Sequence, residues 1–201
     1  MEMRALSVVV GALVVAAAVA GCSGSALTDD PAPGSITVGS GESAESRVLA
    51  EIYAGVLRGT GSPVQTRLGL GDEETLALLD SGEVTLVPEY TGSLLLQLNP
   101  SATVTDPDDV FDELNRSLPQ GVSVSDYGLA EDPSVTGEVG DRAAENVVPL
   151  MRTGALTTTQ IKALNVVAGE LTSTDLADMG DEVRGGERSP GQVAGDWLAA
   201  R

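Results

Sequence analysis

An α/β fold with a mostly parallel sheet covered by helices on both faces is what this chain predicts. From position 35 onward, short apolar or β-branched runs alternate with longer segments of helical period. Glycine and serine-glycine steps punctuate the alternation, and no internal repeat is visible. Strands alternating with helices imply parallel neighbours joined by crossovers, which bury both faces of the sheet.

The elements follow in order. Ser35-Ile36-Thr37-Val38-Gly39 predicts a strand closed by a glycine. Glu45 to Arg58 places Val48, Leu49, Ile52, Tyr53, Val56 and Leu57 on one face of a helix. Pro63 to Leu68 alternates in polarity and reads as a strand. Glu73 to Ser81 reads as a helix ended by Ser81-Gly82. Val84 to Val87 is the next strand, followed by Pro88-Glu89-Tyr90-Thr91-Gly92 and a helix from Ser93 to about Leu98. Aspartates around Pro107 cap a helix from Asp108 to Ser117, and Gly121 to Ser125 and Val147 to Met151 read as strands. Three helices close the chain, at Thr157 to Ala168, Thr174 to Val183 and Gly191 to Ala200. The last opens with Ser189-Pro190-Gly191-Gln192, where serine caps, proline fits the first turn and glutamine reaches back.

The first 22 residues are of a different kind. Arg4 precedes an unbroken apolar run, Leu6 to Ala20, and then Val19-Ala20-Gly21-Cys22. A charged start, an apolar stretch and small residues before a cleavage point describe a secretory signal. The run is shorter than the roughly 20 residues a spanning helix needs. The only cysteine follows Ala-Gly directly, which resembles a bacterial lipobox, in which the sulfur carries a diacylglyceryl group and the cysteine becomes the mature N-terminus. The competing reading is an ordinary signal peptide with an incidental cysteine. The expected organisation is a signal peptide over 1–21, a polar, proline-bearing tether over 22–34, and a folded unit over 35–201. The mature chain is thereby expected on the extracytoplasmic face of the cell membrane, held by its lipid.

Composition narrows the chemistry. Cleavage before Cys22 removes one acid, Glu2, and one base, Arg4, so the net charge stays at −19. Such a surface repels nucleic acid phosphates, and no basic patch offsets it. There is no histidine, which excludes Ser-His-Asp and Cys-His catalysis and removes the commonest metal ligand. With Cys22 committed to lipid, no thiol nucleophile remains. Lys162, the only lysine, reads as a solvated charge on an amphipathic helix rather than as half of a Ser-Lys pair. Glu42, Asp72 and Glu73 could form a carboxylate pair, but a chain this acidic places carboxylates together by chance. The glycines at 69 and 71 lack the phosphate-loop lysine and the dinucleotide spacing. The expectation is no enzyme, no catalytic residue, no metal and no cofactor.

The most informative segments are Leu68 to Thr75 and Leu79 to Gly92, the latter ending Pro88-Glu89-Tyr90-Thr91-Gly92. Together with Val38-Gly39-Ser40 and Leu49 to Tyr53, they resemble the substrate-binding proteins of osmoprotectant ABC importers, which take glycine betaine, choline and related quaternary amines. The PEYTG stretch at 88–92 is the most specific piece. Asp126-Tyr127 with Ala130-Glu131-Asp132 resembles the segment where family chains leave their first lobe, and Asn146 to Leu150 the segment where they return. The resemblance implies a type II periplasmic-binding-protein fold. The family's second lobe lies between those two segments, yet here only Pro133 to Ala144 separates them. The chain is therefore expected to be a single lobe, with 35–134 as first segment, 135–144 as a short join and 145–201 as the return.

The resemblance implies a ligand site at Tyr90, Thr91, Ser40, Gly41 and Asp72, with an ABC permease as partner. Quaternary ammonium groups cannot donate hydrogen bonds and are held by aromatic faces, of which only Tyr90 matches a family cage position. The same ring could instead pack on the lobe with its hydroxyl exposed. One cation–π contact supplies roughly 0.5–2 kcal/mol, whereas a millimolar dissociation constant needs about 4 kcal/mol. Binding is thus expected to be weak. A second copy facing the first would rebuild a cleft with a Tyr90 from each, so a homodimer is one expectation. Family chains commonly carry a lysine, an asparagine and an aromatic where this chain has Gly41, Glu42 and Ser43, a change that disfavours zwitterions. The family's frequent aspartate before the PEYTG strand end is Thr85. Tyr53, Trp197 and Phe111 read as core or packing residues, and Tyr127 stays open between the two roles. The alternative to transport is an envelope interaction lipoprotein that kept the lobe and lost the ligand.

Overall fold

The computed structural model describes residues 34–71, 74–131 and 144–201. The segments read from sequence as signal peptide and tether, with Cys22, lie outside the described residues, as do Asp72 and most of the segment read as the join. Among the described residues no helix is long and apolar enough to cross a membrane.

Among the described residues, six strands form one sheet. These are β1 (Ile36–Gly39), β2 (Val64–Arg67), β3 (Leu86–Tyr90), β4 (Val122–Val124), β5 (Gly128–Glu131) and β6 (Asn146–Arg152). The order is β2-β1-β3-β6-β4, with β5 also paired to β6. β1 runs parallel to β2 and β3, while β6 runs antiparallel to β3, β4 and β5. Five strands therefore point one way and β6 alone is reversed, the mostly parallel sheet expected from the alternation.

Helices cover both faces. α1 (Ala44–Gly59), α5 (Thr158–Glu170), α6 (Ser173–Arg184) and α7 (Pro190–Ala199) close one face over Ile36, Val38, Leu86, Val147 and Met151. α2 (Thr75–Ser81), α3 (Thr91–Leu98) and α4 (Pro107–Ser117) close the other over Val87, Val148 and Leu150. β6 alternates its side chains between the two cores, so Asn146 to Met151 is buried throughout.

Most boundaries agree with the sequence reading within one or two residues, and local chemistry explains why. Gly82 ends α2 at φ +78°, a left-handed cap that glycine adopts without Cβ strain. Asp106 caps α4, with its carboxylate accepting from Asp108 N. Ser189 and Gln192 form the expected reciprocal capping box on α7, and Thr157 with Gln160 forms another on α5.

Two differences are instructive. β3 runs through Pro88 to Tyr90 rather than stopping at Val87, and α3 starts at Thr91. Pro88 lies directly opposite Pro149 of β6. Arg152 N donates to Thr85 O at 3.1 Å, which sets the ladder's phase and puts the proline pair at a non-hydrogen-bonded position. Neither ring nitrogen then faces the other strand. Pro88 points toward β1, which ends at Gly39, and Pro149 toward the gap between the β5 and β4 pairings. The ladder loses no bond. The second difference is β5, whose Gly-Leu-Ala-Glu sequence has little strand preference and is held by β6 through a register shift.

Candidate functional site

A cleft of about 320 Å³ opens where β1 and β3 end. The sheet order turns here, since β1 leads through α1 to β2 on one side while β3 lies on the other. In open α/β sheets, ligands bind outside the carboxyl ends of strands at such a switch point. Gly41, Glu42, Ser43 and Ser46 form one wall, from the loop after β1 and the start of α1. Pro88, Glu89 and Tyr90 at the end of β3, with Ser93, Leu94 and Gln97 of α3, form the other.

Both helix starts are capped by the protein itself. Ser43 Oγ accepts from Ser46 N at 3.0 Å, and Gly41 N donates to Ser46 Oγ at 2.8 Å. α3 begins after Tyr90, whose side chain makes no capping bond. The acceptor comes instead from Glu145, just ahead of β6. Its carboxylate accepts from Ser93 N at 2.9 Å and from Ser93 Oγ at 2.7 Å. Glu145 is only 6% exposed, and a buried anion is sustained there by the positive end of the helix and two donors.

The residues expected at the site fall into three groups. Tyr90 and Gly41 line the cleft. The half-buried Tyr90 ring also packs against the core beneath α1, so the two readings of this residue are joined in one position. Ser40 and Thr91 are fully buried. Ser40 Oγ donates to Gly41 O at 2.9 Å and accepts from Gly69 N at 3.1 Å, fixing the wall from behind. Thr91 turns its hydroxyl inward, donating to Ala144 O at 2.8 Å and accepting from Asn146 N at 3.2 Å. Both hydroxyls are hydrogen-bonded within the fold. Asp72 lies outside the described residues.

Several lining residues were not singled out from sequence as contacts, among them Glu42, Ser43, Ser46, Glu89, Ser93 and Gln97. Their neighbourhood to the PEYTG stretch and to Gly41 was the available signal. Glu145 gave none. Among the described residues, the charged ones that line the cleft are Glu42 and Glu89.

The other aromatics stand elsewhere. Tyr53 is core, at 1% exposure. Trp197 anchors α7, with Nε1 donating to Asp175 at 3.3 Å and the Arg201 guanidinium stacked 3.7 Å above its ring. Phe111 packs against the second core and meets Tyr127 with ring centroids 5.0 Å apart. Tyr127 donates to Asp108 at 2.6 Å, which together with partial burial pushes its pKa up to about 12. It borders a separate shallow hollow with Asp126, Leu129 and Asn165. Lys162 is exposed, as a solvated charge should be.

An α/β lobe with a capped, acidic, tyrosine-bearing cleft at its switch point has the architecture of a small-molecule binding unit. A family model described as the substrate binding domain of ABC-type glycine betaine transport systems matches residues 34–135, and the chain belongs to that family. Among solved structures, one titled glycine betaine/carnitine/choline ABC transporter is similar at 10% identity. That match covers 84% of this chain and 98% of that one, with a TM-score of 0.69. Apo YehZ from Escherichia coli is similar at 13% identity, covering 82% and 98%, with a TM-score of 0.70. At these identities the likeness is one of fold. No curated protein sequence matches the chain.

Proposed function

We propose that the protein is the extracytoplasmic, lipid-anchored receptor of an ABC importer for glycine betaine and choline-type osmoprotectants, reduced to one lobe and binding weakly. The observation that carries this reading is the cleft itself, with Tyr90 beside Glu42 and Glu89, in a chain of this family. A ring face and carboxylates suit a quaternary ammonium, and an ABC permease would take the ligand from it. The one-lobed form is supported by the fourteen residues, Asp132 to Glu145, that join neighbouring strands β5 and β6.

Calorimetric titration with choline and glycine betaine tests the reading, with sedimentation run alongside. The expected result is saturation near or above millimolar for a monomer, because one cation–π contact falls short of the roughly 4 kcal/mol that millimolar binding needs. A dimer with Tyr90 from each chain in one cleft would tighten it. Absence of heat with both ligands at tens of their expected dissociation constants would end the transport reading.

The anchor has its own test. Cys22→Ser is expected to move the protein from the membrane fraction to the soluble fraction and to stop incorporation of labelled fatty acid. Two acyl chains hold a protein at a bilayer where a single one is marginal, so the shift should be nearly complete. Retention of the serine variant in the membrane rules the lipid anchor out.

One observation favours the second reading, an envelope interaction lipoprotein. Leu129 is 68% exposed and lines the shallow hollow beside Tyr127, and Val166 on the adjoining helix α5 is 56% exposed. β5 and α5 pack together, and exposed apolar side chains on adjoining elements suit a contact surface.

A further inference from the structure

We propose that Glu145 makes the cleft selective for organic cations that carry no carboxylate, so that choline-type amino alcohols are preferred over betaine-type zwitterions. The inference rests on reading the cleft as the quaternary-amine site. A ligand carboxylate entering this cleft would look for backbone N–H groups at a helix start, the ordinary anion site of such folds. Three N–H groups at these loops and helix starts are already engaged. Ser93 N and Oγ both serve Glu145, Ser46 N serves Ser43 and Gly41 N serves Ser46. The Thr91 hydroxyl is spent on Ala144 and Asn146.

Charge adds to the loss of donors. Glu145 places a negative charge where α3 would otherwise present its positive end, and Glu42 lines the same cavity. A carboxylate therefore meets like charge while Ser93 N, Ser46 N and Gly41 N are already engaged, whereas a trimethylammonium group meets the charge it needs. A hydroxyl in place of the carboxylate needs only one partner and adds no charge. Glu145 acts through Ser93 and through its field, as a positioning and specificity-determining residue.

The experiment compares three probes on the full chain: choline, glycine betaine and 3,3-dimethylbutan-1-ol, the uncharged isostere of choline. Wild type is expected to bind choline about tenfold more tightly than either of the others, a difference of about 1.4 kcal/mol. Glu145→Gln keeps an oxygen for Ser93 N and removes the charge, and should narrow the choline-to-betaine ratio by about threefold or more. A ratio unmoved in a folded Glu145→Gln overturns the proposal, as does betaine binding as well as choline in wild type. If Glu145→Gln does not fold, the isostere decides: equal binding of choline and dimethylbutanol by wild type overturns it. Binding with the wrong order of affinities sinks this inference alone. Failure of choline and betaine alike to bind sinks it together with the reading it rests on.

Discussion

Thr91→Val lowers the unfolding free energy by about 2–6 kcal/mol, as measured by urea denaturation, while Thr91→Ser stays close to wild type. Valine matches threonine in shape, so the change isolates the hydroxyl. Its removal leaves the Ala144 carbonyl and the Asn146 amide N–H without the partner each has now. Asn146 is 2% exposed and Ala144 9%, so water cannot readily replace the hydroxyl. Each orphaned buried group costs about 1–3 kcal/mol, which sets the range. The bonds join positions 53 and 55 residues apart and hold the start of α3 to the start of β6. The same variant should therefore loosen the Glu145–Ser93 contact and weaken ligand binding. A loss below about 0.5 kcal/mol, the range of an ordinary surface substitution, would show that the hydroxyl is not the latch described.

Tyr53→Ala costs about 3–5 kcal/mol, the range for deleting a buried aromatic side chain. Among the described residues Tyr53 is the largest fully buried side chain, in the core cluster with Leu49, Ile52 and Leu57. A domain of this size has about 5–15 kcal/mol in all, so the variant is left near the margin. Leu129→Ala is the natural control, because a residue 68% exposed has little burial to lose. Equal losses in the two variants would contradict the placement of the core.

How much of this was legible in the chain depends on the range of the interaction concerned. Helix ends were readable because their chemistry is local: Ser189 and Gln192, Asp106 ahead of Pro107, and Gly82 act within a few residues. The PEYTG stretch led directly to a cleft wall. Its internal roles were not readable, because only the return of β6 to the edge of β3 decides that Thr91 turns inward and Tyr90 faces the opening. Pro88 inside a strand contradicts a local rule, and only the opposing Pro149 and the phase of the ladder explain it. β5 was missed for a related reason, since Gly128 to Glu131 is extended by its neighbour rather than by its own preference. Glu145 was invisible as a cap because its partner lies 52 positions earlier.

The register at the end of the sheet has one more consequence. Glu131, where β5 ends, stands directly opposite Asn146, where β6 begins. Backbones paired in this way are about 5 Å apart. A passenger domain of any size whose own two ends adjoin could be spliced into that point, leaving every ladder contact beneath it in place.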